Sequence, residues 1–309
     1  MVSGGRAIME SMKVSIAGVE MKNPVMTASG TFGSGMEYSE FVDLSKLGAV
    51  VTKGVANVPW PGNPTPRVAE IRGGMMNAIG LQNPGIDTFC GRDLPFLQQF
   101  DTKVIVNVCG HTPEEYCEVA ERLGSEPADM LEINISCPNV RCGGISFGQN
   151  PKSVESITSE IKRHAKQPII MKLSPNVTDI TEIARAAEAG GADAVSLINT
   201  LTGMKINVER QTFAIANKTG GVSGPAIHPI AVRMVYETAH AVNIPIIGMG
   251  GVATAEDALE LILAGATAVA VGTANFRNPR VTLEVIDGIA DYMERHHVDD
   301  IRSLIGAVH

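Results

Sequence analysis

Short apolar runs recur along the chain, separated by stretches where apolar and polar residues repeat with helical spacing. The clearest runs cover 49–52, 103–108, 130–135, 168–173, 194–198, 244–248 and 267–271, with an earlier one at 24–27. Each is nearly continuous rather than alternating, as strands covered on both faces read. Helical patterns fill 153–165, 178–189, 230–241 and 283–293. Thr112-Pro113-Glu114-Glu115 and Thr254-Ala255-Glu256-Asp257 carry helix-start chemistry, a capping hydroxyl followed by acids in the first turn. Gly190-Gly191 and Gly265 stand where helix C-caps belong.

About eight strand–helix units follow from Pro24 onward. Alternating order with short connections predicts a parallel sheet with right-handed crossovers. Eight units in this length predict an α/β fold of the closed (β/α)8 barrel type, the TIM barrel, as a single domain over 1–309. A doubly wound open sheet is the alternative, and the first strand lacks the GxGxxG that such a sheet often carries. Three connections exceed what a barrel needs: 57–85, 137–151 and 201–229. All follow strands, which in a barrel puts these long loops on the C-terminal face, where active sites are built.

Composition narrows the function. Hydrophobic residues make up 44% and charged residues 19%, an ordinary globular balance. The formal net charge is −8, a poor match to phosphate backbones, so nucleic acid is not an expected partner. The uncharged stretch 261–276 has 16 residues and includes glycines and threonines, so no membrane span is expected. Arg6, Glu10 and Lys13 interrupt any signal-like apolar run, and the expected location is the cytoplasm. Five cysteines without a CxxC pair suggest neither a disulfide framework nor a metal site.

Several residues stand where chemistry is expected. The turns Gly248-Met249-Gly250-Gly251 and Gly272-Thr273 follow the last two strands. They serve either as tight corners or as a phosphate cradle. Lys53 and Lys172 end apolar strand runs, where a lysine is costly without an anionic partner, protein or ligand. Asn107, Asn134 and Asn199 recur at strand ends, with Asn77 and Asn83 in the long connection 57–85. They suit a planar ligand with amide edges, although an isolated Asn is usually a turn or a satisfied core amide. Cys137, just past the fourth strand at the start of a Gly-rich loop, is either a nucleophile or base or a small buried residue. The seven histidines show no metal-ligand spacing and read as surface or core residues. Trp60 is either a lid over an apolar patch or a partner contact.

In combination the motifs are specific. They are Thr27-Ala28-Ser29-Gly30-Thr31-Phe32-Gly33, Thr52-Lys53-Gly54, Gly62-Asn63-Pro64-Thr65-Pro66-Arg67, Asn77-Ala78-Ile79-Gly80-Leu81-Gln82-Asn83 and Asn134-Ile135-Ser136-Cys137-Pro138-Asn139. Together they resemble the dihydroorotate dehydrogenase family. Gly143-Gly144-Ile145-Ser146-Phe147-Gly148 after the cysteine resembles most its NAD-linked class 1B, the FMN-bearing catalytic subunit of a heterotetramer. The resemblance implies oxidation of dihydroorotate to orotate in pyrimidine biosynthesis. It makes Cys137 the base at C5, with hydride passing from C6 to FMN. It implies that Asn77, Ala78, Ile79, Gly80 and Leu81 line the substrate and that Asn134, Asn199 and Thr200 bind its amide edges. Lys53 would touch substrate and flavin, and Lys172 would face the flavin N1/C2 side. Ser29, Gly54, Asn107, Ile198 and Gly224 would hold the ring and ribityl chain, and Gly250, Gly251, Gly272 and Thr273 the phosphate. Electrons would leave through a partner subunit carrying a 2Fe-2S cluster and FAD, around a homodimer core. Cys142 departs from the expected small or charged residue. A fumarate-dependent class 1A homodimer and a flavin-dependent tRNA dihydrouridine synthase are the alternatives.

Overall fold

The structure is a computed structural model and describes residues 11–136 and 147–309. It opens with a hairpin, β1 (Val14–Ile16) and β2 (Val19–Met21). Ala17 and Gly18 join the two strands, both at positive φ, as a two-residue turn matched to strand twist requires. Val14, Ile16 and Met21 bury their side chains in the main core. The apolar-run reading missed this hairpin, because three-residue strands are too short to show a period.

Eight parallel strands then close into a barrel. They are β3 (Val25–Thr27), β4 (Ala49–Val51), β7 (Lys103–Val108), β8 (Met130–Asn134), β9 (Ile169–Lys172), β10 (Ala194–Leu197), β15 (Ile246–Met249) and β16 (Ala268–Val271). The order around the barrel follows the chain, and β16 pairs with β3 to close it. Almost every barrel-strand residue is buried, which is why these strands read as unbroken apolar runs.

Six longer helices follow strands: α1 (Pro113–Leu123), α2 (Pro151–His164), α3 (Ile180–Ala189), α4 (His228–Ala239), α5 (Ala255–Leu263) and α6 (Val281–Arg295). Thr112 accepts from the Glu115 N–H, and Thr254 and Asp257 cap each other reciprocally. Such caps contribute ~1 kcal/mol each. Gly191 and Gly265 take positive φ just past their helices. After β3 there is no long helix; two 3-10 turns, Tyr38–Glu40 and Leu44–Lys46, replace it.

Two of the long connections are not irregular. β5 (Val68–Ile71) and β6 (Gly74–Asn77) form a hairpin in 57–85, and β11 (Leu201–Met204) and β14 (Thr219–Ser223) form another in 201–229. They join as one antiparallel sheet, β11-β14-β6-β5. A ribbon of β12 (Ile206–Asn207) and β13 (Thr212–Phe213) lies within the β11–β14 connection. Gly221 permits the close approach of this sheet to the barrel mouth: a Cβ there would stand 2.0 Å from Thr200 Oγ1. No helix among the described residues is long and apolar enough to cross a membrane.

Candidate active site

A cavity of about 490 Å³ opens at the C-terminal ends of the barrel strands, beneath β6 and β14. That is within the usual range for small-molecule sites. Every described residue singled out as a candidate except Asn83 lines it, from Ser29 and Lys53 round to Gly272 and Thr273. Cys137 and Cys142 lie outside the described residues. Asn83 does not line the cavity. Its side chain accepts from the Ala56 and Gly85 N–H groups at 3.2 and 2.9 Å and donates to the Leu81 carbonyl at 2.8 Å. It therefore shapes the loop.

Strand register explains how the polar groups meet. Asn107 pairs in register with Glu132, Asn134 with Lys172, and Lys172 with Ser196. Four adjacent strands thus bring five polar side chains into the apolar barrel. Asn107 Nδ2 donates to Glu132 Oε2 at 2.6 Å, and Ser196 Oγ donates to Glu132 Oε1 at 2.8 Å. Lys172 Nζ lies 3.5 Å from Glu132 Oε2 and donates to Ser29 Oγ at 2.9 Å. The anionic partner that Lys172 required is therefore Glu132. A sequence signal for it existed: Glu132 is the one charged residue in the apolar run 130–135.

The three asparagines join into a ladder round the mouth. Asn134 Nδ2 reaches Asn107 Oδ1 at 3.5 Å, Ser136 Oγ donates to Asn134 Oδ1 at 2.8 Å, and Asn199 Nδ2 donates to Ser136 Oγ. Tyr116 fixes the strand end by donating its hydroxyl to the Asn134 carbonyl at 2.7 Å. Ile198 follows a cis peptide bond from Leu197.

On the opposite wall the two glycine turns meet β14. Thr273 Oγ1 donates to Ser223 Oγ at 2.7 Å. Gly251 sits at φ +76°, and a Cβ on it would stand 2.7 Å from His228 Cβ. His228 was not singled out in sequence, where it reads with the other histidines as a surface or core residue. It is buried, and its Nδ1 lies 2.7 Å from the Gly250 carbonyl oxygen. With Nδ1 as donor, it ties the turn to the start of α4. On its far side Nε2 stands 3.2 Å from Glu260 Oε2, without hydrogen-bond alignment.

Trp60 packs its ring on His111, with centroids 3.9 Å apart. Its backbone pairs with Asn83 in both directions. It pins the long connection 57–85 beside the end of β7. Cys109 and Cys117 are buried. Burial, reinforced by neighbouring carboxylates, pushes the Cys117 thiol up to about 11.

The fold and site define a class: a (β/α)8 barrel with lysines, asparagines and glycine turns gathered round a cavity at its mouth. The comparisons narrow it. A family model described as dihydroorotate dehydrogenase matches residues 11–293. The chain is 71% identical over 295 residues to "Dihydroorotate dehydrogenase B (NAD(+)), catalytic subunit" of Lachnoclostridium phytofermentans, covering 96% of this chain and 98% of that one. It is 62% identical over 296 residues to the protein of the same name from Alkaliphilus oremlandii, covering 96% and 98%. A crystal structure of DHODH from Eimeria tenella, in complex with ferulenol, superposes with a TM-score of 0.80 at 23% identity, covering 96% of this chain and 88% of that one, which bears on the fold. The chain belongs to the dihydroorotate dehydrogenase family.

Proposed function

We propose that this chain is the FMN-bearing catalytic subunit of an NAD-linked dihydroorotate dehydrogenase and oxidises dihydroorotate to orotate in pyrimidine biosynthesis. The observation that carries the reading is the cavity, where two lysines, the asparagine ladder and two glycine turns face one space. These residues fit FMN by their chemistry. Glycine turns at a barrel mouth suit a phosphate. A lysine beside a hydroxyl suits the ring edge that gains negative charge.

When bound, FMN supplies the acceptor for the hydride leaving C6 of dihydroorotate. The protein's residues do the rest. Ser29, Gly54, Asn107, Ile198 and Gly224 hold the ring and ribityl chain, and Gly250, Gly251, Gly272 and Thr273 hold the phosphate. Lys172 would supply positive charge to the N1/C2 side of the ring. Asn77, Ala78, Ile79, Gly80 and Leu81 form the substrate wall. Asn134, Asn199 and Thr200 orient its amide edges, and Lys53 contacts substrate and ring. Cys137 takes the proton from C5; that role rests on the motif around it.

The relatives are named as catalytic subunits, which supports a separate partner. On this reading the partner carries a 2Fe-2S cluster and FAD, passes electrons to NAD, and surrounds a homodimer core. The complex works in the cytoplasm and uses neither membrane nor nucleic acid.

The test is an acceptor series on the isolated, FMN-loaded chain under anaerobic conditions. Orotate should accumulate from dihydroorotate with an artificial dye, and neither NAD nor fumarate alone should support turnover. Adding the iron–sulfur/FAD subunit should restore NAD reduction. Rapid turnover with fumarate and no partner would contradict the NAD-linked assignment.

A further inference from the structure

Glu132 stands in the middle of β8 with 1% of its surface exposed. It does not itself line the cavity; Asn107, Asn134 and Lys172, which touch or neighbour it, do. Among the described residues it and Lys172 are the only charged side chains buried on the barrel strands. Its partners come from three other strands: Asn107 on β7, Lys172 on β9 and Ser196 on β10. Each of them is a donor, which matches an acceptor-only carboxylate. Nothing in the reaction described above uses it, yet a buried carboxylate is expensive to keep.

We propose that Glu132 is the fixed counter-charge of Lys172, and that the pair, rather than the lysine alone, sets the electrostatic field a flavin ring meets in this cavity. The inference rests on the reading that the cavity takes FMN with its ring at Lys172. A lone buried ammonium would draw electrons onto a nearby ring strongly, because its field is poorly screened there. A carboxylate 3.5 Å from that ammonium turns the charge into a dipole, and a dipole's field falls off faster with distance. Glu132 thereby keeps the reduced cofactor able to hand its electrons onward. It acts through Lys172, so it is a positioning residue and not a catalytic one.

The experiment measures the midpoint potential of bound FMN by equilibration with redox dyes. It compares the wild-type holoprotein with Glu132→Gln, Lys172→Met and the double variant. Gln keeps the size and an oxygen for Ser196. Glu132→Gln should favour reduction by at least tenfold in the equilibrium constant, about 30 mV positive for a two-electron couple. Lys172→Met should move the midpoint the other way. The double variant, again without net charge, should return close to wild type. An unchanged midpoint in Glu132→Gln with full FMN content would overturn the inference while leaving the cofactor assignment intact. If a single variant fails to hold FMN, thermal melting of the apoproteins decides. Both single variants should melt lower and the double variant should recover; a double variant that falls by the sum of the two shows that the residues are not a pair. A wild-type chain that binds no FMN would refute the cofactor reading instead, and the melting comparison would still test the pair.

Discussion

Lys172 reaches across the barrel to Ser29: its Nζ donates to Ser29 Oγ at 2.9 Å, although 143 positions separate them in sequence. Lys172 ends β9, and Ser29 follows β3, four strands away in either direction round the barrel. One ammonium thus spans the mouth, with Glu132 behind it at 3.5 Å. Breaking a buried pair by removing one partner typically costs ~3–5 kcal/mol, because the other charge stays buried. Lys172→Ala should therefore lower the unfolding free energy of the apoprotein by about that much, and weaken FMN binding or slow flavin reduction as well. Denaturant titration and flavin reduction kinetics check this. A variant as stable and as fast as wild type would make Lys172 dispensable.

Cys137→Ala should retain FMN and lose ~10²–10⁴-fold in the rate of flavin reduction by dihydroorotate, the usual contribution of a general base. Anaerobic stopped-flow mixing measures it directly. A near wild-type rate would remove Cys137 from the chemistry.

The Gly250-Gly251 turn offers a steric test. Gly251→Ala would require an L side chain at φ +76°, with its Cβ 2.7 Å from His228 Cβ and 3.0 Å from the Gly224 carbonyl oxygen. Such strain costs ~1–3 kcal/mol. FMN affinity should fall at least tenfold, read from fluorescence recovery on titrating apoprotein. Unaltered affinity would mean that this turn does not hold the phosphate.

Cys117 and Cys90 predict an alkaline limit on stability. Burial raises both thiols to about 11, and nearby carboxylates add to the effect, Glu160 for Cys117 and Glu126 for Cys90. A raised thiol pKa leaves both states protonated below the unfolded value near ~9. The unfolded chain ionises first as pH rises, so stability is lost between about 9 and 11. The melting temperature should decline over that window, and less steeply in Cys117→Ala. At pH 7.5 both residues should resist alkylation in the folded protein. Rapid labelling of Cys117 at that pH would contradict its burial.

The barrel was legible in sequence because its strands are covered on both faces. Runs such as 169–172 and 268–271 carry apolar residues at every position except Lys172. The sheet over the mouth was not legible. β5 is half-exposed, β14 is Thr-Gly-Gly-Val-Ser, and the register that joins Met76 to Val222 links segments far apart in the chain. The candidate site was legible as residue types at strand ends. Its wiring was not: Ser136 joins Asn134 to Asn199, and His228 ties down Gly250, through contacts that no local spacing encodes. Glu132 lay between. Its place in an apolar run marked it, and only the register showed which lysine it meets.

The most direct test is the visible spectrum of the purified chain before and after anaerobic addition of dihydroorotate. A cavity that binds FMN and presents dihydroorotate to it predicts a flavin band near one equivalent per chain, bleached by the substrate. A flavin band that dihydroorotate leaves unchanged would contradict the substrate assignment, and a colourless chain that takes up no FMN would contradict the cofactor itself.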